Sequence, residues 1–356
     1  MTEPVNTACP KFKRTHTGCM KYIRYLVLAG LLSLPSAAWA EPAFPMKGEP
    51  RYDAPRVAWG GDGPAAFSQD RIRVAFYNLE HFTDGIGDGP DRTSEKVTAQ
   101  AAGAAGLLDE IDADIVLIAE IENTKSLSEL NRHLKRPYAF GWTSDFGDGQ
   151  KSGDKLNHAL LARAAPVDVV EIDYSTLQGA GRPPRGSLRA RFDLGDGHQL
   201  VVYSAHLKSN FGYRPRNMYQ RRHGLQWLAN DARALQKGSS DRFELLVLGD
   251  MNVDPDSPEF AGDWSLSPFR GWRDLWRGRP LPERATVPTR FGDPALEFPP
   301  ACFDRIYAGG DATNAPWTVS APGVLQRGVN TRTIKALPGE DGHISDHHPV
   351  WVDVLR

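Results

Sequence analysis

"HISDHHPVWVDV", residues 343–354, stands almost at the end of the 356-residue chain. Its second half alternates apolar and polar residues, as a half-buried closing strand does. Yet the strand is entered through Asp346, His347 and His348, side chains that are costly to desolvate. Either the entry is a solvated loop or it carries acid–base or metal chemistry, and the rest of the chain must choose.

Working outward, "RIRVAFYNLE" (71–80), "DIVLIAEIE" (114–122), "NHALLAR" (157–163), "SLRARFDL" (187–194), "HQLVVYSAHL" (198–207), "FELLVLGDMNV" (243–253) and "FDRIYAG" read as further strands. Residues 94–111 place Val97, Ala101, Ala104, Leu108 and Ile111 at helical spacing, with Ser94 as the cap. Residues 217–236 place Met218, Leu225, Leu228, Ala232 and Leu235 on one face. Many short strands and few helices predict an α/β fold of two packed sheets with helices outside. One domain spans 71–356, and the Pro-, Gly- and Ala-rich residues 41–70 read as an extended leader of low order.

Residues 1–40 read as a signal peptide. Lys21 and Arg24 precede the apolar run "YLVLAGLLSLP" and the small residues "SAAWA", with cleavage expected after Ala40. The run is too short to span a bilayer, so no stable membrane insertion is expected after cleavage, and the location is periplasmic or secreted. Those 40 residues hold five basic residues and one acid, which leaves 37 basic and 43 acidic residues and a formal charge of about −6. Such a chain is no general polyanion binder. Cys302 is its single remaining cysteine, which excludes an internal disulfide.

Polar residues cluster where strands end: Asn78 and Glu80, Glu120, His206, Asp250 with Asn252, Asp304, and Asp346–His347. Each alone is a turn residue; together they can line one pocket. Phosphate ester hydrolysis needs a cation for the phosphoryl oxygens, a base for water and help for the leaving oxygen. Glu120 with Asn78 or Glu80 offers hard oxygen ligands suited to Mg²⁺. Asp250 is the candidate base, with Asn252 positioning it or the phosphate. His206 and His347 can donate to the phosphate or leaving group, and Asp304 can fix a histidine tautomer.

"YNLE", "DIVLIAEIEN", "SAHLKS", "LGDMN", "FDRIY" and "SDHHPV" stand in the order found in the endonuclease/exonuclease/phosphatase superfamily, which the chain resembles over roughly residues 71–356. The resemblance implies a four-layer α/β sandwich with two central sheets and a metal-dependent phosphoesterase, with Mg²⁺, or else Mn²⁺ or Ca²⁺, as cofactor. It makes Glu120 the metal-ligating glutamate, with Asn78 in support and Asp346 near the metal. Asp250 resembles the water-activating aspartate with Asn252 beside it, and His347 the catalytic histidine with Asp304 as partner. His206 matches the histidine of the nuclease and phosphatase branches. Many members carry Gln before the glutamate; here it is Ala119. His348 has no role in the pattern and reads as structural.

The fold does not select the ester. Residues 182–222 carry nine basic residues against Asp193 and Asp196. Cations at a helix start oppose its dipole, which an anionic ligand would repay. The "EIEN" and "HLKSN" context, with "RGSLRARF" upstream, resembles secreted bacterial nuclease-type members, which implies nucleic acid, DNA above RNA, as the favoured substrate, with Lys208, Arg221 and Arg222 as phosphate contacts. The alternatives are a phosphatase or phospholipase acting on sugar, inositol or lipid phosphate, and an inactive exported binding protein. Five histidines would permit a zinc hydrolase, but no H-E-x-x-H is present. The aromatic stretch "WSLSPFRGWRDLWRG" (264–278) reads as a packed insertion, and the Gly-Asp loops 83–91 and 145–154 as surface turns. Oligomeric state leaves no mark in the sequence.

Overall fold

The apolar runs pair edge to edge into two sheets. The computed structural model describes residues 44–146, 156–310 and 317–356; residues 1–40, read above as a signal peptide, lie outside them. The first sheet runs in the order β1 (Arg51–Asp53), β7 (Asp168–Asp173), β8 (Ser187–Gly195), β9 (His198–His206), β10 (Arg242–Asp250), β12 (Asp304–Gly310) and β11 (Arg273–Asp274). The second runs β13 (Thr318–Val319), β15 (Val350–Leu355), β3 (Arg71–Phe82), β4 (Ile115–Ile121), β6 (Asn157–Ala162), β5 (Phe140–Thr143) and β2 (Arg56–Gly60), with β14 (Gly323–Val324) also on β15. Among the described residues the helices are α1 (Ser94–Ile111), α2 (Thr124–His133), α3 (Arg214–Lys237) and the short α4 (Leu281–Arg284).

Strand alternation builds the layers. Val74 and Phe76 of β3 and Leu117 of β4 share a buried cluster with Leu200 and Val202 of β9 and Leu246 and Leu248 of β10, the core between the sheets. Their neighbours Ala75, Tyr77, Val116 and Ile118 point the other way and pack with Ala104 and Leu108 of α1 and Leu127 of α2. On the far side, Val201, Tyr203, Leu245 and Val247 pack under Leu225 and Leu228 of α3. The result is helix, sheet, sheet, helix, the expected four-layer sandwich.

Three local expectations need correction. Thr93 rather than Ser94 caps α1, its side chain accepting from Lys96 N–H, and Ser94 is the first helical residue. α3 starts at Arg214, because Pro215 suits a first helical turn. The leader is not a disordered arm from Phe44 onward: β1 pairs with β7, β2 with β5, and Phe67 packs on Phe192 at 5.5 Å between ring centroids. Its Gly and Pro content hid two short strands.

The insertion 264–278 is packed. Trp276 has no exposed surface, and Phe269 stacks on Trp272 at 4.7 Å. No helix among the described residues is long and apolar enough to cross a membrane.

Candidate active site

Register brings the first half of the site together. β10 runs parallel to β9 and antiparallel to β12, so Asp250 lies opposite His206 on one side and Asp304 on the other. In the second sheet Asn78 lies opposite Ala119, after which the β3–β4 and β4–β6 registers both shift. Glu120 sits in that irregularity with φ 61°, and Glu80, His81 and Asn252 also hold positive φ. These four are half of the eight non-glycine residues with positive φ among the described residues. Strain of this kind persists where surrounding contacts over-determine it, and here it turns side chains off the pleat toward the sheet ends.

Those contacts are short. Asn78 Nδ2 donates to Glu120 Oε1 at 3.0 Å and reaches Asp250 Oδ2 at 3.3 Å across the gap between the sheets. Asn252 donates to Asp250 twice, from its backbone N–H at 2.8 Å and from Nδ2 at 2.9 Å. His206 Nε2 stands 3.5 Å from both Glu120 Oε1 and Asp250 Oδ2. His347 Nδ1–H donates to Asp304 Oδ2 at 2.7 Å, leaving Nε2 3.9 Å from Asp250 and from Asp346. Ser345 locks the approach: its hydroxyl donates to Asn78 O at 2.7 Å and accepts from His347 N–H.

Glu80 lies to one side. Its carboxylate accepts from His343 Nε2–H at 2.7 Å and faces Arg290 at 3.7 Å, while Arg92 donates to its carbonyl. The sequence grouped Glu120 with Asn78, Glu80 and Asp346; the ligand atoms that converge within 4.8 Å are those of Glu120, His206 and Asp250. Sequence reading counted His343 only among the five histidines open to zinc and gave Arg290, Arg92 and Ser345 no role. His348 donates from Nδ1 to Arg327 O at 3.0 Å, a structural bond.

The expected phosphate contacts divide. Arg221 is 1 % exposed and bonds Asp263, Ser265, Asn210 Oδ1 and Lys208 O. Its guanidinium is consumed inside the protein, which corrects its assignment to substrate phosphate. Arg222 lies 5.8 Å from the Trp264 ring centroid, and Lys208 Nζ bonds Ser209 and Phe211 O. Loop 83–91 brings Asp84 and Asp88 within 4.8 Å of Glu122, but Asp84 N–H already holds Glu122 and Asn123 holds Asp84. Most of loop 145–154 lies outside the described residues.

Charge is unbalanced. Burial pushes Asp250 up to about 7, with Asp304 and Glu120 adding to it against His347. Desolvation and Glu120 push Glu80 up to about 7 despite Arg290 and Arg92. Desolvation and Glu80 do the same to Asp346. Burial alone would lower His347, but Asp304, Asp346 and Asp250 together hold its imidazolium well above the usual histidine range. Burial and then Arg185 drive His206 well below it, so His206 is a neutral imidazole able to ligate. An excess of buried carboxyl groups beside a neutral imidazole is a donor set that fits a divalent cation.

Two packed sheets whose strand ends pool carboxylates, two amides and two imidazoles make a donor set that could hold a divalent cation. Residues 75–347 match the model of the Endonuclease/Exonuclease/phosphatase family, and the chain belongs to that family. Among solved structures, TDP2 from D. rerio complexed with single strand DNA product is 15 % identical, with a TM-score of 0.54 over 81 % of this chain and 100 % of that one. A mannosyl-6-phosphatase from Bacteroides thetaiotaomicron is 18 % identical, with a TM-score of 0.52 over 80 % of this chain and 100 % of that one. TDP2 from C. elegans is 16 % identical, with a TM-score of 0.54 over 83 % and 77 %. These likenesses are of fold. No curated protein matches the chain.

Proposed function

We propose that the protein is an exported Mg²⁺-dependent phosphodiesterase that cleaves nucleic acid, DNA in preference. The observation that carries the hydrolytic part is the convergence of Glu120, His206 and Asp250 within 4.8 Å beside the bonded Asp304–His347 pair. Glu120 and its neighbours would hold the cation, with Mg²⁺ suiting the oxygen-rich set and Mn²⁺ or Ca²⁺ compatible with it. Bound there, a divalent cation supplies charge neutralisation for the phosphoryl oxygens. Asp250, oriented by Asn252 and Asn78, accepts the proton of the attacking water. His347, kept charged by Asp304, donates from Nε2 to the phosphate or the leaving oxygen. Asp346 and Glu80 complete the negative rim.

Lys208, Arg214, Arg216 and Arg222 have no carboxylate partner among the described residues, and they supply the local positive patch that a net acidic chain needs for a polyanion. The basic, apolar, small-residue pattern of residues 1–40 supports export. A second reading, phosphomonoester hydrolysis, is favoured by Arg92 Nη1 and Arg290 Nε, which are buried without a hydrogen-bond partner beside Glu80. Two spare guanidinium donors suit a terminal phosphate dianion.

Purified mature protein with Mg²⁺ is assayed on plasmid DNA, single-stranded DNA, RNA, a lipid phosphodiester and phosphomonoesters. DNA is expected to be cut, EDTA to abolish cutting, and Asp250→Asn to lower kcat about 10²- to 10⁴-fold, the usual worth of a general base. Full activity in EDTA removes the metal, and wild-type turnover by folded Asp250→Asn removes the base. Turnover of monoesters alone transfers the case to the second reading.

A further inference from the structure

We infer that Phe211 is a stacking platform for an unpaired base of a single-stranded polynucleotide whose phosphate lies in the site, with Tyr213 a second exposed ring two residues on. This rests on the nucleic-acid reading above and narrows it to strands with exposed bases. Phe211 is 87 % exposed, more than any other large apolar side chain among the described residues, and Tyr213 is 58 % exposed. One exposed aromatic residue needs no explanation; the way this one is held does.

Its backbone is fixed from both sides. Phe211 O accepts from Lys208 Nζ at 2.9 Å and from Asn217 Nδ2 at 3.0 Å. Gly212 makes the turn with φ 101°, which a side chain would resist. Tyr213 is braced by the edge of Phe44 at 5.9 Å between centroids. The protein thus orders the segment and still leaves both rings to solvent. A ligand would meet a segment whose backbone is already ordered, which lowers the entropic cost of binding.

The position is continuous with the site. The chain leaves β9 at His206, and Asn210 Nδ2 then donates at 2.9 Å to the carbonyl of Asn252, the residue that orients Asp250. Asn210 Oδ1 in turn accepts from the buried Arg221. Phe211 is therefore one residue from a direct tether to the catalytic carboxylate's partner. Positive charge is near: Lys208 Nζ bonds the Phe211 carbonyl, and Arg214 and Arg216 follow in a first turn of α3 that carries no acid. Aromatic faces among cations, beside a phosphate-cleaving centre, match a strand with alternating bases and phosphates. A duplex buries its base faces in the stack and offers the rings nothing to cover. A lipid surface would call for a larger apolar tip than two rings set among arginines.

The test is steady-state kinetics of the full mature chain with Mg²⁺ on dodecathymidylate and on an abasic strand of equal length. The unmutated protein is expected to show the lower KM on dodecathymidylate. Phe211→Ala is expected to raise that KM roughly tenfold, the scale of one lost stack, with a much smaller change on the abasic strand. Phe211→Trp is expected to retain the preference and Phe211→Leu to lose it. Equal KM values on the two strands, or a leucine variant as good as the original, overturns the platform while leaving strand cleavage intact. Absence of strand cleavage with turnover of another ester removes the nucleic-acid reading and the platform together. Phe211-dependent sedimentation with phosphatidylcholine–phosphatidylglycerol vesicles, without a KM change on DNA, overturns it in favour of a lipid surface. Thermal melts confirm that each variant is folded.

Discussion

Arg221 spends its guanidinium inside the protein, on Asp263, Ser265, Asn210 and the Lys208 carbonyl. Asp263 is fully buried at its side chain and pairs with Arg221 at 2.8 Å, so removing the cation leaves an uncompensated buried charge. Arg221→Ala is therefore expected to lower stability by about 3–5 kcal/mol, read from the midpoint of a urea melt. Arg222→Ala, whose cation lies 5.8 Å from the Trp264 ring centroid with no carboxylate partner among the described residues, should melt much closer to the unmutated chain. Equal melts for the two variants would contradict the buried pair. The misreading of Arg221 has a physical source: its neighbours in sequence are basic, but its acid partner lies 42 residues away. The same limit hid the pairing of His343 with Glu80, which spans 263 residues. Asp250, Asn252, Glu120 and His347 were legible because each follows or precedes an apolar run, and a polar side chain at a strand end is a local pattern.

Elements with two-residue alternation and buried apolar faces stood out in the sequence; elements that lean on others did not. α2 buries only Leu127 and Leu130 among its apolar residues, too few to show a helical stripe. β5 is four residues long and includes Gly141, where a side chain would run into the Trp59 ring of β2. β7 reads "DVVEID", and its Glu171, 2 % exposed, looks like a surface residue on paper. Burial pushes this carboxyl up to about 7, with Asp173, Asp145 and Asp53 adding to it against the hydrogen bond from Asp145 N–H. Its ordinary value is 4.5. The folded state thus keeps a proton that the unfolded chain releases, and this group's contribution is lost as pH rises from the ordinary value through about 7. Glu171→Gln keeps the acceptor for Asp145 N–H and removes the titration. The variant is expected to gain melting temperature relative to the unmutated chain at mildly alkaline pH and little at mildly acidic pH. Parallel Tm-against-pH curves for the two proteins would contradict this.

At the scale of the molecule, residues 51–60 serve both sheets. β1 closes the free side of β7 in one sheet, and β2 closes the free side of β5 in the other. Trp59 also donates from Nε1 to Tyr138 O at 3.0 Å, and Arg51 pairs with the buried Asp173. A mature chain shortened to begin at Arg71 is expected to keep its two-sheet core and lose melting temperature. It is also expected to self-associate through the uncovered strands, checked by calorimetry and light scattering. A monomeric truncation with an unchanged melt would show the strap to be ornamental.

That strap also sets an order of events in time. Residues 51–60 are made before their partners in β5 and β7, which begin at Phe140 and Asp168. Contacts of such sequence separation form late, because a long loop must close before they give anything back. On the export proposed above, the chain would cross a membrane before these contacts form. The segment that closes both sheets is thus made before either edge it closes, and the last step of folding is its capture there.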